Sequence, residues 1–292
     1  MSCPLCDDTG WKPADGPSTG SRQGSSAGSG RRVVRCDCWR ENIGRQRLAD
    51  ANIPKRYQHC TLGNFTAYNE SLERAVQAAS TFAAAFPNVN RGLFFEGEPG
   101  VGKTHLAAAV LTQVVRTTGA HGLFYDVREL LKLIRSTYNA SIQTTELEVL
   151  APVLKAELLV LDDLGAEKTS EWVEETMNLI VNTRYNEKLA TIFTSNFPDI
   201  PDETEPNSLL CRIGHRMRSR LHEMCEFRVL DAGDYRQLPA NGGVDDLMAL
   251  WAQRKDLARK RGSLPARAAG PARARLRDGK GDLKWPGGRA GS

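Results

Sequence analysis

The stretch GEPGVGKT concentrates more chemistry than any other eight residues of the chain. Gly97, Glu98, Pro99, Gly100, Val101, Gly102, Lys103 and Thr104 spell G-x-x-x-x-G-K-[ST] in full, and His105 follows directly. Glycines at this spacing let successive main-chain N–H groups curl around an anion, and a helix opening behind them adds the positive end of its dipole. The lysine neutralises β- and γ-phosphate oxygens, and the hydroxyl after it takes one position on Mg²⁺. The segment therefore reads as a nucleoside triphosphate site for ATP or GTP.

Two further stretches supply what such a site needs. LLVLDDLG ends an apolar run in Asp162, a carboxylate at a strand's C-terminal edge where it can hold Mg²⁺ directly or through water. Asp163 next to it either polarises the attacking water or caps the following segment. TIFTSN ends in Asn196, which either orients that water beside the γ-phosphate or starts the NFPD turn. In RIGHRMRSRLHEMCEF, Arg212, Arg216 and Arg220 recur every four residues and share a helix face. Such a row is either a solvated basic face or a set of arginines reaching for phosphate.

A separate chemistry opens the chain. Cys3-x-x-Cys6 and Cys36-x-Cys38 are two close pairs separated by a Gly/Ser-rich stretch expected to be flexible. Four thiolates suit tetrahedral Zn²⁺, and closing a loop of this length costs little more than closing a short one. An iron–sulfur cluster and unligated thiols are the other readings. Cys60, Cys211 and Cys225 are expected to be packing residues.

The elements that must position these groups follow from the apolar pattern. Strands are predicted at Gly92–Glu96, Gly122–Asp126, Leu158–Asp162, Thr191–Ser195 and Glu226–Leu230, with helices at Leu72–Ala85, Thr104–Thr118, Arg128–Tyr138, Glu171–Glu187 and Leu209–Met224. Continuously apolar strands alternating with helices imply a parallel sheet covered on both faces, a three-layer α/β sandwich of the P-loop kind. The expected organisation is a cysteine module at 1–40, a helical linker at 41–70, the nucleotide-binding domain at 71–238, and a C-terminal helix with a disordered tail at 239–292. With 292 residues, seven cysteines and no export signal or long apolar run, the chain is expected to be cytoplasmic and not membrane-bound. The net charge of +4 is uneven: residues 1–50 carry +2, residues 51–250 carry −7 and residues 251–292 carry +9. A basic tail either meets a polyanion or is simply solvated.

GEPGVGKTHLA, LLVLDDLGAEKTSEW, TIFTSNFP and RIGHRMRSRLHEMC…DYR together resemble the AAA+ helicase loaders of the DnaC and DnaI type, kin of the IstB transposition ATPases and of the initiator DnaA. The resemblance covers roughly residues 50–238. It implies that Asn196 is a sensor of the γ-phosphate and that Arg216 or Arg220 acts on ATP held by the next subunit. It also makes Arg236 of DYR a second sensor and places Ile53, Arg56 and Tyr57 on the adenine side. Asp163 departs from the glutamate usual in AAA+ motors, which implies slow, switch-like hydrolysis. DnaI-type loaders carry an N-terminal zinc module that grips the replicative helicase, so the cysteine pairs, with Trp11 and Trp39, are expected to form such a docking knob. The expected partners are a replicative DNA helicase, further copies in ATP-dependent oligomers, and single-stranded DNA, for which Lys132, Arg135 and Tyr138 are candidates. An IstB-like transposition helper and a nucleotide-gated adaptor that scarcely hydrolyses ATP are the alternatives.

Overall fold

The computed structural model describes residues 3–7, 9–14, 33–138, 145–167, 170–202 and 204–262. The Gly/Ser-rich stretch and the basic tail beyond residue 262 lie outside them. The described residues up to Trp251 form one compact unit; beyond it the described part is a helical run to Gly262.

The short strands β1 (Trp11–Pro13) and β2 (Val33–Arg35) pair antiparallel and lead into α1 (Asp37–Asp50). Then come α2 (Glu70–Ala85), β3 (Gly92–Glu96), α3 (Lys103–Thr118), β4 (Gly122–Asp126), α4 (Val127–Ser136), α5 (Glu146–Lys155) and β5 (Leu158–Asp162). α6 (Glu171–Asn186), β6 (Ala190–Ser195), α7 (Leu209–Met224), β7 (Cys225–Val229) and α8 (Val244–Gly262) complete the order. The five strands β3–β7 form one parallel sheet in the order β4-β5-β6-β3-β7.

Strand alternation builds two cores. Leu93, Phe95, Leu158, Val160 and Ile192 face α2 and α3, whereas Phe94, Leu159, Leu161 and Phe193 face α4 to α7. Phe94, Phe95 and Phe193 are fully buried, each worth about 2 kcal/mol of transfer free energy. The expected three layers are present. α3 is buried along Leu106–Leu111, its three successive alanines letting the neighbouring layers approach closely. The N-terminal strand ends are fastened by Arg184, 1% exposed, which donates to the carbonyls of Val153, Ala156 and Ala190 and to Thr191 Oγ1.

Parallel register brings the C-terminal strand ends to one edge. Asp126 stands opposite Asp162, and Glu96 opposite Ser195. The loops that carry Lys103, Asp163, Asn196 and Arg236 leave from this edge, where open α/β sheets bind ligands. Among the described residues no helix is long and apolar enough to cross a membrane.

Candidate functional site

The phosphate loop runs from β3 into α3 with φ of 84° at Gly100 and 102° at Gly102. Both are left-handed conformations that a side chain rarely adopts. At Gly100 space forbids one as well, since a Cβ there would lie 1.7 Å from Asp234 Oδ1. The contact is structural: Tyr235 N–H donates to Gly100 O, and Asp234 caps the turn Tyr235–Gln237 through Arg236 N–H. The turn holding Arg236 is thereby fixed against the loop.

Lys103 Nζ donates to Gly97 O and Glu98 O, both at 2.8 Å, and to Asn196 Oδ1 at 2.7 Å. Burial draws its ammonium down to about 8, against the pull of Asp162 and Asp163. Thr104 Oγ1 donates to Asp162, 3.0 and 3.1 Å from its two oxygens, and Thr194 Oγ1 donates to Oδ1 at 2.6 Å. Burial pushes the Asp162 carboxyl up to about 6, while the Thr194 and Thr104 hydroxyls oppose the shift.

Asp163 sits at φ 62°, and the helix that follows is capped by Ser170. Asp163 Oδ2 accepts from Arg128 at 2.5 Å and its Oδ1 from the Asn196 amide. Asn196 thus bridges Lys103 and Asp163 instead of merely opening a turn. Arg128 is not legible in the sequence because its partner lies 35 residues away; its position follows from Asp126, which ends β4 and caps α4 through the N–H groups of Arg128 and Glu129.

These groups line a cavity of about 790 Å³, within the range of small-molecule sites. Arg56, Tyr57, Phe65, Tyr68, Arg236 and Leu247 of α8 complete its wall. Ile53 corrects the expectation: it is 8% exposed in the core, and its carbonyl accepts from Gln58. His105 Nε2 lies 3.1 Å from Thr61 O and 3.0 Å from Asn64 Oδ1, which binds the start of α3 to the Thr61–Asn64 turn. Burial lowers its pKa. Arg216 and Arg220 do not reach this cavity; they line a separate groove with Glu174, Asn178 and Leu179 of α6.

The cysteine pairs converge. The Sγ atoms of Cys3, Cys6, Cys36 and Cys38 all lie within 4.8 Å of one another, with Cys3 and Cys36 at 3.8 Å and Cys6 and Cys38 at 3.2 Å. Tetrahedral zinc at about 2.3 Å from each sulfur sets sulfurs roughly 3.8 Å apart, so the set fits the ion. Contact with Cys38 draws the Cys6 thiol down to about 7, and the same contact pushes Cys38 up. Trp39 packs over Gly10, whereas Trp11 and Leu5 are exposed. Of the three remaining cysteines, Cys60 and Cys225 are buried; Cys211 is exposed, a correction to its expected packing role.

Residues 37–217 match the family described as IstB-like ATP binding protein, about three fifths of the chain. The chain belongs to that family. The replicative helicase loader DnaC of Buchnera aphidicola subsp. Baizongia pistaciae is 30% identical over 149 residues, which span 51% of this chain and 60% of that protein. The crystal structure of the DnaC helicase loader superposes with a TM-score of 0.54 and 35% identity, covering 61% of this chain and 99% of that one. The crystal structure of DnaI follows with a TM-score of 0.51 and 26% identity, covering 61% and 95%. The fold is that of the DnaC-type AAA+ proteins.

Proposed function

We propose that the chain loads a replicative DNA helicase, with ATP binding and slow hydrolysis as its switch. The observation that supports this reading best is the 35% identity to the solved DnaC helicase loader across 99% of that chain. ATP enters the cavity with its phosphates on the loop amides of Gly100–Thr104, and Lys103 exchanges two loop carbonyls for phosphate oxygens. Thr104 and Asp162 would hold Mg²⁺, which when bound offsets charge on the β- and γ-phosphates. Asp163 and Asn196 orient the water, Arg236 senses the nucleotide, and Arg56 and Tyr57 flank the base. Arg216 and Arg220 act on the nucleotide of an adjacent copy in an ATP-dependent assembly.

Cys3, Cys6, Cys36 and Cys38 would hold Zn²⁺, which orders a segment too small to fold unaided. Leu5 and Trp11 on that segment are exposed and suited to docking the helicase. Single-stranded DNA meets α4, where Arg135 lies 4.6 Å from the Trp172 ring centroid and Tyr138 packs edge-on against Trp172, with Lys132 exposed nearby. A transposition helper is the second reading, favoured by the family match itself.

The deciding experiment is co-purification with the replicative helicase of the same organism, with and without ATP. Nucleotide-dependent capture supports the loader. Failure to capture, alongside nucleotide-dependent binding to a transposase, moves the assignment to the second reading.

A further inference from the structure

α7 is two helices in one. At Gly214 the backbone takes φ 75° and ψ 164°, which breaks the helix and reorients the half that carries Arg216, Arg218 and Arg220. A helix advances about 100° per residue, so Arg216 and Arg220 share one face while Arg218 and His222 share the opposite one. The structure divides them accordingly. Arg216 and Arg220 line the groove beside α6, while Arg218 turns inward onto Asp199.

The inward contact is a fork: Arg218 Nε meets Asp199 Oδ1 at 2.5 Å and Nη2 meets Oδ2 at 3.1 Å. His222 Nε2 reaches Oδ2 at 2.7 Å, and the Asp199 side chain is only 11% exposed. Two parallel bonds to one carboxylate fix direction as well as distance. Asp199 is itself held from behind, its N–H donating at 2.9 Å to Oε2 of Glu96, the residue before the phosphate loop. It lies three residues after Asn196 on the same loop. The start of α7 is tied there too, since Leu209 N–H donates to Pro198 O and the Arg212 guanidinium covers the Phe197 ring at 4.5 Å. The loop that carries Asn196 is therefore joined by several contacts to the helix that carries Arg216 and Arg220.

We infer that Arg218, through its fork on Asp199, is a positioning residue that sets the kinked half of α7 so that Arg216 and Arg220 reach an adjacent subunit's nucleotide. It touches no nucleotide itself. This rests on the proposed function, in which copies assemble and share arginines.

The test uses the full-length chain with its metal and mixes variants. Arg218→Met should keep ATP affinity within about twofold of the unaltered chain while turnover at assembling concentrations falls at least tenfold, the signature of an interaction made only in the transition state. Adding Lys103→Ala chains, which have intact arginines and no working phosphate loop, should restore turnover to within about threefold, because an arginine supplied by a neighbour carries much of the rate. Asp199→Asn should repeat the pattern and decides the question if Arg218→Met fails to fold. Undiminished turnover in Arg218→Met, or a loss that Lys103→Ala chains do not repair, overturns the inference. The double variant Arg216→Ala/Arg220→Ala separates it from the proposed function beneath: full turnover there means that no arginine is shared, whatever Arg218 does.

Discussion

Asp163 is the residue on which turnover should depend. One of its oxygens is taken by Arg128 and the other by Asn196, so it is aimed from both sides at the mouth of the phosphate loop. Asp163→Asn keeps the shape and removes the charge. It should leave ATP affinity within about twofold and slow turnover at least tenfold, roughly 1.4 kcal/mol of barrier. A steady-state ATPase assay checks this, and unchanged turnover would make the protein a nucleotide-gated adaptor. A second expectation at this scale concerns pH. Burial raises Asp162 to about 6, so it carries its charge only above that value, and burial lowers Lys103 to about 8, so it carries its charge only below. Affinity for Mg·ATP should peak between pH 6 and 8 and fall on both sides. Titration calorimetry across pH 5 to 9.5 reads the profile, and Asp162→Asn should flatten its acid limb beyond what ATP's own titration causes.

Helices and strands are the most legible level. β3, β4 and β5 have the bounds that the sequence predicts, because each is an apolar run closed by a breaker or an acid. The site's glycines, Lys103 and Asp162 are equally readable, since local spacing defines them. α5 is not: Pro152 stands inside it and outweighs the Thr145–Glu148 capping box that opens it. The Arg128 clasp and the Arg218 fork are out of reach because both join residues that only the sheet order brings together. The kink in α7 offers an element-level expectation. A Cβ at Gly214 would meet nothing closer than Glu174 Oε1 at 3.8 Å, so Gly214→Ala is opposed by backbone conformation and not by space. It should cost about 1–3 kcal/mol, seen as a melting temperature lower by several degrees. ATP affinity should be preserved, because the cavity takes no residue from α7.

At the scale of the whole molecule, two chemistries sit in one chain and should separate. The cysteine cluster lies at the start of α1, and the cavity at the sheet edge draws none of its lining from those cysteines. Metal analysis should find about one zinc per chain. Stripping it with a chelator should abolish helicase capture while ATP binding persists; loss of both together would mean that the module braces the ATPase core. The phosphate grip comes before any partner: loop amides and Lys103 would hold the phosphates of ATP, with Thr104 and Asp162 on its Mg²⁺. Its most direct measurement is calorimetric titration of the metal-intact protein with Mg·ATP. Saturation at one nucleotide per chain, abolished by Lys103→Ala, is the expected result, whereas no detectable binding of any adenine nucleotide at millimolar concentration would contradict the account.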